Sequence, residues 1–139
     1  MHELRKTNYI FLFSILVIID QLSKYIIRFS GGFYICNQNI AFGIKISETI
    51  FWAFWFLIVF LLATILYKKY SAKALFLDKG EIFYTVLILA GAISNATDRL
   101  VLGCVVDFFR LPFWPVFNLA DIYITIGSTL FVYKVLKKK

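Results

Sequence analysis

The chain has 139 residues, room for one domain, and it is 61% hydrophobic with sixteen phenylalanines and a mean hydropathy of +0.82. That composition excludes an ordinary soluble globular protein, which would expose large adhesive patches, and makes a bilayer the natural solvent. A net charge of +7 does not point to nucleic acid, because the basic residues form no single stripe and segregate along the chain instead.

The N-terminal HELRK and the following NYIFLFSILVII resemble the n- and h-regions of a signal peptide. Asp20, Gln21 and Lys24 stand where a small-x-small cleavage site would be needed, so Asn8 to about Phe29 reads as a retained helix. Its uncharged run from Thr7 to Ile19 has only 13 residues, and it reaches bilayer length only by including Asp20. Asp20 and Lys24 stand four apart with the acid N-terminal, the favourable order for a pair on one helix face. An ion pair that merely ends the helix is as good a reading as a functional one.

Residues 30–47 form a polar and aromatic connection. Asn37-Gln38-Asn39 is turn-like and GIKIS alternates, which predicts a short β-hairpin. Thr49 to Tyr67 is the cleanest span, 19 residues without a charge, with Trp52 and Trp55 as interface anchors. A basic loop, KKYSAKALFLDKGE, precedes a third helix expected from about Ile82 to Leu102 and interrupted near its end by Asn95, Asp98 and Arg99. The two prolines and the tryptophan in CVVDFFRLPFWP suggest a re-entrant or interfacial passage. The fourth helix is expected from near Val116 to about 135, with Asn118 and Asp121 at its start.

With both termini and the Lys68–Lys79 loop on the cytoplasmic side, that side holds ten lysines and arginines against three acids, and the other side holds five of each. The whole positive excess is then inside, which is the expected bias. The first and third helices run outward and the fourth inward, so every polar group of the spans falls at one depth, near the outer surface.

Aspartate at mid-bilayer costs about 2.5–3.5 kcal/mol on insertion scales, so a polar cluster at one depth points to catalysis or to ion movement. Zinc is disfavoured: there is no HExxH, and the sole histidine, His2, is remote. A serine–lysine dyad of Ser94 and Lys24 is weakly supported. Paired carboxylates remain, with Asp107 and Asp121 as the candidates: two close aspartates share a proton, one acting as base toward water while the other polarises a carbonyl. Asp98 and Arg99, on one helix face with Asn95, could equally form a structural ion pair. Cys36 and Cys104 are too few for a disulfide framework and read as packed thiols, a bridge being possible if both face outward. A proton- or cation-coupled transporter would use the same aspartates as a relay, but no repeat of the usual transporter kind is visible. A non-catalytic scaffold leaves the convergence of polar groups unexplained.

DQLSK (Asp20–Lys24), NQNIAFG (Asn37–Gly43), GAISNATDR (Gly91–Arg99), VVDF (Val105–Phe108) and FNLAD (Phe117–Asp121) occur in the order and spacing of lipoprotein signal peptidase, signal peptidase II. This resemblance, which covers nearly the whole chain, implies an all-α membrane protein: a four-transmembrane-helix bundle with a small extracytoplasmic β-hairpin or cradle at residues 30–47. It implies an aspartic endopeptidase that removes signal peptides from diacylglyceryl-modified prolipoproteins just before the lipidated cysteine. Asp107 and Asp121 would be catalytic, and Asn37, Asn95, Arg99 and Asn118 would bind substrate. Asp20, Lys24 and Asp98 would be structural. No cofactor, metal or nucleic acid is implied; the partners would be the lipidated precursors and membrane lipids, for a monomer in the bacterial cytoplasmic (inner) membrane with its site facing outward. Two positions depart from the family pattern. Asn39 stands where glycine is usual, and asparagine tolerates left-handed backbone. Ala92 and Ser94 replace glycines, and both are small enough for close helix approach.

Overall fold

The computed structural model describes residues 2–39, 44, 46–71 and 79–137. Four helices carry the chain, α1 (His2–Phe29), α2 (Glu48–Ser71), α3 (Lys79–Leu102) and α4 (Leu119–Lys137), and each contains a stretch long and apolar enough to cross a membrane. Two short strands, β1 (Ile35–Asn37) and β2 (Val105–Asp107), join them in one antiparallel sheet. The basic loop expected between the second and third helices falls largely on 72–78, outside the described residues.

The helix ends follow from local chemistry. Gly31 and Gly103 both have left-handed backbone, with φ of 75° and 74°. They close α1 and α3, with Gly32 N–H donating to Ile27 O at 3.1 Å and Gly103 N–H to Arg99 O at 3.0 Å. Ser47 caps α2 through its hydroxyl to Ile50 N–H. Asn118 caps α4, so that helix begins three residues later than Val116, where the hydropathy pattern placed it; Phe117 is engaged in a bridge to Phe109 and is not free to be helical.

α3 is the organising helix. It packs on α1, α2, α4 and β2, and half of its apolar span is buried, whereas none of the α2 span is. Phe54, Phe56, Leu57, Phe60 and Leu61 of α2 face outward, as apolar side chains can when the surroundings are a bilayer. One polar link ties α2 to α3, the Trp55 indole N–H to Ala92 O at 3.3 Å. α3 and α4 approach closely at Gly91, where a Cβ would overlap the Ala120 carbonyl oxygen and come within 2.7 Å of Ile124. Gly91→Ala is therefore expected to push the helices apart and to destabilise by about 1–3 kcal/mol, the usual effect of overpacking. Thermal unfolding in detergent measures this, and an unchanged midpoint would show that the contact gives way freely.

The small sheet is not the local hairpin expected from residues 30–47. β1 pairs with β2 in the register Ile35↔Asp107, Cys36↔Val106 and Asn37↔Val105, across some seventy positions of sequence. The second arm expected around GIKIS includes residues outside the described set. Cys36 and Cys104, read from sequence as packed thiols, form a disulfide with a Cα–Cα separation of 5.4 Å. The bridge staples β1 to the turn that leads from α3 into β2. The expected passage after Gly103 is a strand followed by a turn at Leu111–Trp114, rooted by the Phe109–Phe117 bridge and carrying a fully exposed Phe113 at φ 63°.

Candidate active site

The polar residues of α1, α3, β2 and α4 converge in two connected layers. In the deeper layer Lys24 is 2% exposed, and its ammonium donates to three oxygens: Asp20 at 2.6 Å, Asp98 at 2.9 Å and Asn95 Oδ1 at 2.9 Å. Asp20 also accepts from the Ser94 hydroxyl at 2.6 Å and from Ala120 N–H at 2.8 Å, so an acid from α1 meets the positive N-terminal end of α4. Asp98 accepts from Gln21 Nε2 at 2.8 Å and from Val106 N–H at 3.2 Å, which ties the foot of β2 to α3. Among the described residues no buried side-chain nitrogen or oxygen lacks a partner, the condition for holding charges away from water.

Two sequence expectations are revised here. Asp98 pairs with Lys24, not with its neighbour Arg99. Arg99 instead reaches outward, donating to Asn39 O at 3.0 Å and lying 4.5 Å over the Phe51 ring. Lys24 has all three protons committed within this layer, which leaves it unavailable as a base toward Ser94. Gln21 and Ser94 were not singled out for this layer by sequence reasoning, yet Gln21 Nε2 bonds both the Ser94 hydroxyl and Asp98. Their one available signal was that DQLSK and GAISN are polar interruptions on helices expected to reach the same depth.

The outer layer holds the two candidate carboxylates. Asn118 and Asp121 form a reciprocal cap at the start of α4: Asn118 N–H donates to Asp121 Oδ2 at 3.1 Å, and Asp121 N–H donates to Asn118 Oδ1 at 3.0 Å. The Asn118 amide then donates to Asp107 Oδ1 at 2.6 Å and to Asn95 Oδ1 at 3.1 Å. Asn95 completes the link by donating to Asp121 Oδ1 at 2.8 Å. One pair of asparagine side chains therefore fixes both carboxylates, and Lys24 anchors that pair from below. The other face of Asp107 is held by β1, where Asn37 Nδ2 donates to Oδ2 at 2.8 Å. Burial pushes the Asp107 carboxyl up to about 6, Asn37 and Asn118 opposing that rise and Asp121 adding to it.

Asp107 and Asp121 open on one cavity of about 610 Å³, walled by Ile35, Asn37, Phe51, Arg99, Trp114 and Phe117 among others. Of the four residues expected to bind substrate, Asn37 and Arg99 line that cavity. Asn95 and Asn118 do not: they lie behind the carboxylates, 8% and 0% exposed, and hold them. Asn39 also lines the cavity, but it needs no left-handed backbone, since Phe113 is the only described non-glycine residue with positive φ. Its N–H donates to Asn37 Oδ1 at 2.9 Å, an Asx turn that orients the Asn37 amide toward Asp107. Ser94, at a usual glycine position, bonds Asp20 and Gln21.

Comparison with known proteins gives one family. A family model described as signal peptidase (SPase) II matches residues 12–137. The lipoprotein signal peptidase of Thermodesulfovibrio yellowstonii is 37% identical, with 89% of this chain and 91% of that protein aligned. That of Polynucleobacter necessarius is 30% identical over 99% of this chain and 94% of that protein. Two solved structures, each a bacterial membrane enzyme, superpose with TM-scores of 0.76 and 0.72 at 28% and 29% identity. They cover 94% and 96% of this chain, and 88% and 95% of their own.

Proposed function

The chain belongs to the signal peptidase II family, and from that premise we propose that it is a lipoprotein signal peptidase of the aspartic type, with Asp107 and Asp121 as the catalytic pair. The observation that carries this reading is that these two carboxylates face one cavity while a shared pair of asparagines fixes both from behind. Among the described residues neither acid makes a direct ion pair with a cation, so neither is locked in its ionised form by one and the pair can be singly protonated.

In the proposed reaction the ionised aspartate takes a proton from water as the water oxygen attacks the scissile carbonyl carbon. The protonated aspartate donates to the carbonyl oxygen as it becomes tetrahedral. Collapse breaks the carbon–nitrogen bond: the proton held by the first aspartate passes to the departing amine, that of the lipidated cysteine, and the second aspartate takes its proton back from the tetrahedral hydroxyl as the carbonyl re-forms. The signal peptide leaves with a new carboxyl terminus, and the pair is again singly protonated. Arg99 and Asn37, on the cavity wall, are suited to pairing substrate backbone groups that would otherwise be unsatisfied in an apolar setting.

The substrate class follows from the same reading. A diacylglyceryl-modified precursor stays in the bilayer and must approach sideways, so a site between helices at the level of the outer surface suits it. The positive-inside bias supports an outward-facing site with both termini cytoplasmic. Purified protein in lipid vesicles, given a diacylglyceryl-modified precursor, is expected to release a signal peptide ending immediately before the modified cysteine. Mass spectrometry of both products checks it, and cleavage elsewhere, or proton flux across the vesicle with no cleavage, would reverse the reading.

A further inference from the structure

The disulfide has a bearing on the site that the peptidase reading does not use. Cys36 precedes Asn37 in β1, and Cys104 sits one residue before β2, at the end of α3. β1 is only three residues long, and its described pairing is confined to β2. Yet it delivers two contacts to the site: Asn37 to Asp107 Oδ2, and, through the turn beyond it, Asn39 O to Arg99 on the cavity wall. A two-stranded ribbon of this length is marginal by itself. Cys36 is exposed and Cys104 is buried, so the bridge ties a surface strand to the core next to Asp107.

We propose that the Cys36–Cys104 disulfide is a positioning element of this active site, pinning β1 so that Asn37 and Asn39 hold Asp107 and Arg99, and that its reduction turns cleavage down. The proposal rests on the peptidase reading for its effect on cleavage. Reduction needs an external dithiol. Its thiolate attacks the exposed Cys36 sulfur, releases Cys104 as a thiol, and its second thiol closes onto the first; two electrons pass to the bridge, leaving two protein thiols and a cyclic disulfide. β1 is then held by its short ladder and by the Asn37 and Asn39 hydrogen bonds, with no covalent tie to the core. Asp107 also faces Asp121 from α4, Lys24 from α1 and Arg99 from α3; of these only Arg99, through Asn39 O, touches the segment that the bridge pins. The Asn37 amide is the group that moves, and it favours the ionised carboxylate.

The test uses the full chain in lipid vesicles in three forms: oxidised, reduced by dithiothreitol, and Cys36→Ser/Cys104→Ser. Cleavage of a lipidated precursor is followed against pH, and the Asp107 carboxyl band is followed by infrared absorption, with Asp107→Asn to assign it. Reduction is expected to lower kcat by roughly tenfold or more, the scale at which lost positioning is felt. It should also move the acid limb of the profile and the Asp107 titration to higher pH, because a carboxylate without its donor keeps its proton longer. Reoxidation should restore both, and the double-serine variant should show the reduced profile with no response to dithiol.

An acid limb and an Asp107 band that stay put after complete reduction overturn the proposal. So does a loss of cleavage that merely follows loss of folded protein while the band is unmoved in the folded fraction. If the oxidised protein cleaves no precursor, the peptidase reading fails by that result alone. The infrared band then still decides whether the bridge positions Asp107.

Discussion

Asp107→Asn and Asp121→Asn are each expected to reduce cleavage of a lipidated precursor by about a thousandfold or more, since a positioned acid or base contributes roughly 10²–10⁴ and in the proposed reaction each aspartate serves as both in turn. Because the two act as one unit, the double substitution should cost little more than either alone. The asparagine variants are not perfectly silent structurally. Both oxygens of Asp107 accept donors, from Asn37 and Asn118, and both oxygens of Asp121 accept donors, from Asn95 and Asn118 N–H. An amide placed at either position must turn its NH₂ toward one of those donors, at a cost of about 1–3 kcal/mol. Unfolding in detergent has to be measured alongside cleavage for that reason. A variant that stays folded and keeps full activity would remove its aspartate from the mechanism.

Why these two candidates stand out in the sequence is a matter of polarity against background. An aspartate beside an apolar span is conspicuous, and the positive-inside bias placed the polar groups at one depth before any contact was known. The helices were equally legible, because a bilayer demands long apolar runs and leaves few alternatives. The cap of α4 could also have been found: asparagine followed three residues later by aspartate, ahead of an apolar run, is the spacing of a reciprocal cap, and it explains both the start at Leu119 and the fixing of Asp121.

What could not be read was the partner of each group across the fold. β1 finds β2 from the far side of two helices, and nothing in a three-residue strand specifies a mate seventy positions away. The pairing of Cys36 with Cys104 follows from that register and is invisible without it. Lys24 shows the same limit from the other side. Its i,i+4 bond to Asp20 was evident, but its second acid, Asp98, is supplied by α3, and the near neighbour Arg99 was the wrong candidate for Asp98. The asparagines were recognised as belonging to the site but given the substrate side, because sequence distinguishes polar from apolar and not front from back. Asn95 and Asn118 lie behind the carboxylates and orient them.

Lys24→Met is expected to cost about 3–5 kcal/mol of stability, the scale of breaking a buried pair from one side. Methionine fills a comparable volume, so the loss comes from charge. Asp20 and Asp98, 0% and 2% exposed, would face each other without the ammonium that separates them. Hydrogen bonds from Ser94, Gln21, Ala120 N–H and Val106 N–H would remain, but none carries a full positive charge. Adding Asp98→Asn to Lys24→Met should therefore recover part of the loss by removing one of the two stranded charges, even though it deletes another member of the cluster. Chemical unfolding in detergent micelles measures both steps. A loss below about 1 kcal/mol for Lys24→Met, the range of a solvated surface pair, would mean that water reaches the cluster and that the bundle does not shield it. Cleavage should fall further than stability predicts, because Asn95, which loses its Lys24 donor, is one of the two residues that hold Asp121.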